Sequence, residues 1–209
     1  LALARDVTFA FPVMMMVIMA AFLAFLFVYV CTFPKYHANQ IMSAVFCFLY
    51  GPVMLSFLYL LREGFDDGIY LVWFVFLASW GSDTCAYCVG VLIGKHKMTP
   101  KLSPKKSIEG AVGGILGAAL LSVLYTHFVV NQYTMMTLSL PLAACLGAAG
   151  ALVSMVGDLA ASAVKRDHEI KDYGKLIPGH GGIMDRFDSV IVAAPIVFLG
   201  IALATGLWS

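Results

Sequence analysis

Two aspartates stand where so apolar a chain should carry none: Asp83 in W-G-S-D-T-C-A-Y and Asp158 in M-V-G-D-L-A-A-S. A carboxylate at membrane depth costs about 2.5–3.5 kcal/mol on insertion scales, so each either sits at a helix end near the interface or serves a purpose there. Asp158 is followed at i+4 and i+7 by Ser162 and Lys165, with Arg166 adjacent. One helical face therefore presents a carboxylate, a hydroxyl and two cations in order, which suits a hydrated metal ion with phosphate oxygens bound beyond it. Further along, Asp185 and Asp188 stand i, i+3 on either side of Arg186, so both carboxylates share a face if a helix begins there. The run between the two groups, K-R-D-H-E-I-K-D-Y-G-K-L-I-P-G-H-G-G, carries Lys171 and His180, and its glycines let the backbone approach an anion closely. A loop that merely attracted anionic headgroups would need no such spaced acids. His180 taken alone also reads as a turn residue.

A second polar stretch, G-K-H-K-M-T-P-K-L-S-P-K-K-S-I-E-G, ends where another apolar run begins. Ser107 is placed to cap that helix, and Lys105 and Lys106, together with the amides of its first turn, can hold a polyphosphate. The G-x-x-x-x-G-K-[ST] pattern is absent, so this is not a P-loop. The plainer account is a basic loop leading into a helix contact made by small residues.

The elements that position these residues must cross a membrane. Of 209 residues, 61% are hydrophobic and 12% charged, and mean hydropathy is +0.91, against roughly 25% charged in ordinary globular domains. A cytosolic enzyme with a membrane tail is excluded, because apolar segments at about 8–31, 41–61, 69–94, 108–130, 138–164 and 189–207 occupy most of the chain. Each is long enough to span a hydrocarbon core of roughly 30 Å. The expected fold is an all-α polytopic membrane protein with about six transmembrane helices and two long loops, 95–107 and 165–188. Eleven of the thirteen Lys and Arg residues fall on the side that carries both loops, which predicts that this side is cytoplasmic. The net charge is only +1, so recognition of anions rests on where charges sit. Residues 1–79 are expected to be scaffold and 80–209 to carry the chemistry. Cys31, Cys47 and Cys145 stand singly, and the C-x-x-C of Cys85 and Cys88 has no second pair, so all five are expected to be free thiols.

The segment S-A-V-K-R-D-H-E-I-K-D-Y-G-K-L-I-P-G-H-G-G-I-M-D-R-F-D, from Ser162 to Asp188, closely resembles the signature of the phosphatidate cytidylyltransferases, or CDP-diacylglycerol synthases. Asp83-Thr84, Ala86-Tyr87, Gly90, Gly94-Lys95, Ser103-Pro104-Lys105-Lys106-Ser107 and Glu109-Gly110 resemble that family's second motif, with Ser107 where threonine is common. The resemblance implies transfer of a cytidylyl group from CTP to phosphatidic acid in phospholipid biosynthesis, giving CDP-diacylglycerol and pyrophosphate. It also implies dependence on Mg²⁺ with a second, monovalent cation such as K⁺, and a homodimer in the plasma or inner membrane with its site facing the cytoplasm and no nucleic-acid partner. By the same resemblance Asp158 and Asp185 belong to a metal centre, with Asp188 as a further ligand or as a group behind the ligands that supports them, and Lys165, Arg166, Lys171 and Arg186 neutralise phosphates. Ser103, Lys105, Lys106, Ser107 and Glu109 are expected to contact CTP, with Ser162 and His180 nearby and Asp83 supporting from the neighbouring span. Family members are usually longer at the N-terminus, so further helices are expected upstream of Leu1. A CTP-dependent polyprenol kinase would share the basic loops but needs a base for its alcohol acceptor, and a transporter would need an ionisable ladder across the bilayer. The D-G-x-x-A-R pattern of CDP-alcohol phosphotransferases is absent.

Overall fold

The structure, a computed structural model, describes residues 5–100, 102–174 and 181–206. Six helices among these are long and apolar enough to cross a membrane, as integral insertion demands when every backbone polar group must be satisfied within its own segment. They are α1 (Arg5–Thr32), α2 (Ala38–Glu63), α3 (Gly68–Ile93), α4 (Ile108–Tyr133), α5 (Leu140–Asp167) and α6 (Met184–Ala204).

Three of these helices contain a π-helical turn: Leu49–Val53 in α2, Leu77–Gly81 in α3 and Thr126–Val130 in α4. In α2 the cause is visible, since Pro52 has no N–H to give to the preceding turn. The turn in α3 ends two residues before Asp83 and rotates the following residues relative to a straight helix, which is how such bulges re-aim a side chain.

Burial rises along the chain. None of the apolar window of α1 is buried, whereas 56% of that of α6 is, and α6 packs against α2, α3 and α5. Phe198 of α6 meets Phe57 and Phe65 with ring centroids 5.4 Å and 6.2 Å away, in a core shared with Leu61, Leu71, Phe74 and Val197. Helices in lipid gain little from apolar burial and associate through close packing instead. Here α4 supplies the small residues: Gly110, Gly114 and Gly117 lie against Ala86, Ser82 and Cys85 of α3.

The contact of α4 with α5 is as tight. A Cβ on Gly147 would fall 2.6 Å from the Ala118 carbonyl oxygen and closer still to Ser122 Oγ. Neither neighbour is a flexible chain end, so Gly147→Ala is expected to cost about 1–3 kcal/mol. A lowered thermal midpoint in detergent would show it, and an unchanged midpoint would mean that α4 and α5 part easily.

Two expectations need correction. The stretch 95–107 is not a bare loop but a hairpin, β1 (Lys97–Thr99) and β2 (Ser103–Ser107), antiparallel with Lys97 opposite Ser107 and Thr99 opposite Ser103. The last helix begins at Met184 rather than near 189, because hydropathy discounts Asp185, Arg186 and Asp188 although their backbone is helical. The five cysteines are free, as expected.

Candidate functional site

The hairpin is built by a carboxylate. Glu109, in the first turn of α4, accepts hydrogen bonds from the backbone N–H groups of Lys95 and His96 at 3.2 Å, and its Oε1 lies 2.6 Å from His96 Nδ1. Ile108 N donates to His96 O at 2.9 Å, so the chain returns to the base of β1 as α4 begins. Ser107 Oγ caps the new helix by accepting from Gly110 N at 3.1 Å. These bonds fix where Lys105 and Lys106 stand relative to the helix terminus.

Glu109 therefore has a structural duty, and it lies outside the cavity described below. Glu109→Ala removes an acceptor shared by two amides and an imidazole. Amide exchange at Lys95 and His96 is expected to quicken by about tenfold or more. Unchanged exchange would mean that the hairpin holds without it.

A cavity of about 920 Å³ brings the two stretches together: its walls include Asp83, Ser103, Lys105, Lys106 and Ser107 from 83–110, Arg186 from 162–188, and Asp158, one helical turn before the latter segment. Lys106 Nζ is ion-paired with Asp158 Oδ2, both side chains being about three-quarters withdrawn from the surface. Asp83 lies within electrostatic range of both. Trp80, at the π turn of α3, donates from Nε1 to Arg186 O at 3.2 Å and packs on Phe187, which ties the start of α6 to the same wall.

Beside this cavity is a second charged cluster. Lys165 Nζ meets Asp185 Oδ1 at 2.9 Å, and Asp185 Oδ2 accepts from Tyr173 N and Gly182 N, each at 2.9 Å. Gly181 turns the chain with φ +83°, and a Cβ there would meet Asp185 Oδ2 at 2.9 Å, so only glycine suits the position. Tyr173 donates from its hydroxyl to Ala161 O at 3.1 Å, under a lysine 5.2 Å from its ring centroid. Burial raises the pKa of this phenol against the pull of Lys165, so it stays a neutral donor.

Asp188 is buried, with Oδ1 accepting from Ser189 N at 2.8 Å. It lies within electrostatic range of Asp158, Lys165 and Asp83 and so joins the two clusters. Among the described residues, no three His, Cys, Asp or Glu side chains converge closely enough to hold a metal ion as they stand. The donors are nonetheless of the right kind. Asp83, Asp158 and Asp188 are hard oxygen ligands that repel one another, and a bound cation would relieve that repulsion. Asp185 is in a different position, because both its oxygens already have partners.

The remaining expected residues are less central. Ser162 is half-buried on the inner face of α5, while Arg166 and Lys171 are exposed and lie outside the cavity wall. His180 lies outside the described residues. Reading the sequence alone missed His96, Tyr173 and Trp80, whose partners stand 12 to 106 residues away, and it counted Lys97, now in the cavity wall, only as loop charge.

The profile of the cytidylyltransferase family matches residues 2–204. A phosphatidate cytidylyltransferase of Staphylococcus saprophyticus subsp. saprophyticus is 36% identical over 160 residues, which is 75% of this chain and 58% of that protein. Proteins of the same name from Staphylococcus haemolyticus and Staphylococcus epidermidis are 35% and 38% identical over 162 and 160 residues, with the same coverage. The chain thus matches less than two thirds of the length of these curated relatives.

Proposed function

The chain belongs to the cytidylyltransferase family, and from that premise we propose that it transfers a cytidylyl group from CTP to phosphatidic acid. A phosphate oxygen of phosphatidic acid attacks the α-phosphorus of CTP, the bond from that phosphorus to the bridging oxygen breaks, and pyrophosphate leaves with its electrons. CDP-diacylglycerol remains in the membrane. The observation that carries this reading is the cavity in which a basic hairpin faces Asp158 and Arg186 at the end of an integral membrane bundle.

Phosphatidic acid is already an oxyanion near neutral pH, so no strong base is needed, and the obstacle is bringing two anions together. Positioning and charge neutralisation supply most of the catalysis in such transfers. Lys105, Lys106, Ser103 and Ser107, at the positive end of α4, would cradle the triphosphate. Arg186 faces them and would neutralise the lipid phosphate, with Lys165, Arg166 and Lys171 adding positive charge at the rim. Asp158 holds Lys106 in place, and Asp83 supports the same wall. Asp158, Asp188 and Asp185 would hold Mg²⁺, with a monovalent ion such as K⁺ beside it, to neutralise charge on the phosphate oxygens. Asp185 joins that set only when Lys165 gives up Oδ1.

The concentration of Lys and Arg on the side of the two motifs supports a site facing the cytoplasm. Family resemblance supports a homodimer and a role confined to lipid, without nucleic acid.

The test is pyrophosphate release by the purified protein with CTP, phosphatidic acid and Mg²⁺, each omitted in turn. Release that needs all three, with CDP-diacylglycerol as the lipid product, is expected. Release of CDP with a phosphorylated alcohol would overturn the reading in favour of a kinase.

A further inference from the structure

Two of the π-helical turns face the start of the same helix. The turn Leu49–Val53 of α2 carries Tyr50, whose hydroxyl stands 3.5 Å from Asp188 O. The turn Leu77–Gly81 of α3 carries Trp80, whose Nε1 donates to Arg186 O at 3.2 Å. Each ring is steadied by an aromatic residue one turn earlier in its own helix: Tyr50 stacks on Phe46 with centroids 5.7 Å apart, and Trp80 meets Phe76 at 4.8 Å. Trp80 also packs edge-on against Phe187 at 5.8 Å. A carbonyl oxygen has two lone pairs, so each of these acceptors can take an aromatic donor beside its own helical bond.

The start of α6 needs such an anchor. Its N-cap position is Ile183, whose side chain has no oxygen to accept the free amides of the first turn. Arg186 and Asp188 are two residues apart, roughly 200° around a helix, so the two donors reach α6 from nearly opposite sides, one from α2 and one from α3. Together they oppose rotation of α6 about its axis. That rotation matters because the same two residues face the chemistry: Arg186 walls the cavity, and Asp188 lies buried between the two charged clusters.

Resting on the reading above, we infer that Tyr50 and Trp80 are positioning residues, an aromatic clamp on the first turns of α6 that aims Arg186 at the lipid phosphate and holds Asp188 beside Asp158. Neither ring walls the cavity, so each acts through the backbone of α6. The clamp gives α2 a part in the site that composition alone does not assign to it.

Trp80→Phe keeps the ring contacts with Phe76 and Phe187 and deletes the N–H, at a position 45% exposed where folding is little affected. Tyr50→Phe deletes the opposite donor, whose longer contact predicts a smaller effect. In pyrophosphate release by the full chain, Trp80→Phe is expected to raise KM for phosphatidic acid about fivefold, the scale of one neutral hydrogen bond, with KM for CTP within about twofold of the parent. Adding Tyr50→Phe is expected to raise KM for phosphatidic acid further. Equal rises in both KM values, or no rise in either, would overturn the clamp, since a general loosening of the bundle falls on both substrates alike.

The second readout needs no turnover. Amide exchange in the first two turns of α6 is expected to quicken about fivefold in Trp80→Phe, while the middle of α5 exchanges as in the parent. Unchanged exchange would show that α6 holds its start without the clamp. Quickened exchange in a protein that releases no pyrophosphate would leave the clamp standing and refute the transfer reaction instead.

Discussion

Asp158→Asn is expected to lower cytidylyl transfer by about 10²–10³-fold, the scale seen when one preorganised electrostatic group is removed from an active site. Asparagine keeps the shape of the side chain, and Asp158 is not in the closed core, so the protein should remain folded with an unchanged thermal profile. Two mechanisms would produce the loss. If Asp158 serves only as the counter-ion of Lys106, the damage comes from a lysine left without its partner, and the residual turnover should keep the parent's dependence on Mg²⁺ concentration. If Asp158 also binds a cation that neutralises phosphate, the residual turnover needs a higher Mg²⁺ concentration than the parent's. The second outcome is expected, because Asp83 and Asp188 lie within range of the same carboxylate, more negative charge than Lys106 alone offsets. Activity of Asp158→Asn within threefold of the parent would remove Asp158 from the machinery.

The helices were legible because a span announces itself in twenty residues of local composition. The cavity was legible only in part. Two spans separate the two charged motifs, so even-numbered topology returns them to one face, and the cavity that joins Lys105 and Lys106 to Asp158 and Arg186 is the outcome. What stayed hidden were the partners. Nothing local pairs Glu109 with His96, or Trp80 with the Arg186 carbonyl, because those bonds depend on where helices lie in three dimensions. The hairpin escaped for a related reason: lysines and prolines are poor strand formers, and Lys97–Thr99 with Ser103–Ser107 is too short and too polar to show alternation. It forms because Glu109 gathers the Lys95 and His96 amides at its base. Asp188 shows the same limit from the other side. Its spacing from Asp185 read correctly as one helical face, while its burial beside Asp158 depended on how α5 and α6 pack.

Asp185→Ala is expected to reduce stability more than any other single change here, by about 3 kcal/mol, because it leaves a part-buried lysine and two amides without their acceptor. The side chains of Lys165 and Asp185 are only 13% and 8% exposed, and the carboxylate also receives the amides of Tyr173 and Gly182. Removing it strands three donors at once. Lys165→Met should cost much less, since Asp185 keeps both amides. The asymmetry separates architecture from chemistry. A Lys165→Met/Asp185→Leu double variant replaces the pair with apolar side chains of similar size and should regain part of the thermal midpoint lost in Asp185→Ala, because the stranded lysine charge is gone while the Tyr173 and Gly182 amides still lack their acceptor. It should nevertheless transfer no cytidylyl group, because the lysine that would neutralise phosphate and the carboxylate that would bind a cation are both gone. Recovery of stability together with activity would show that Lys165 and Asp185 only pin the 165–188 connection, and the ligands for a cation would then have to be sought in Asp83, Asp158 and Asp188.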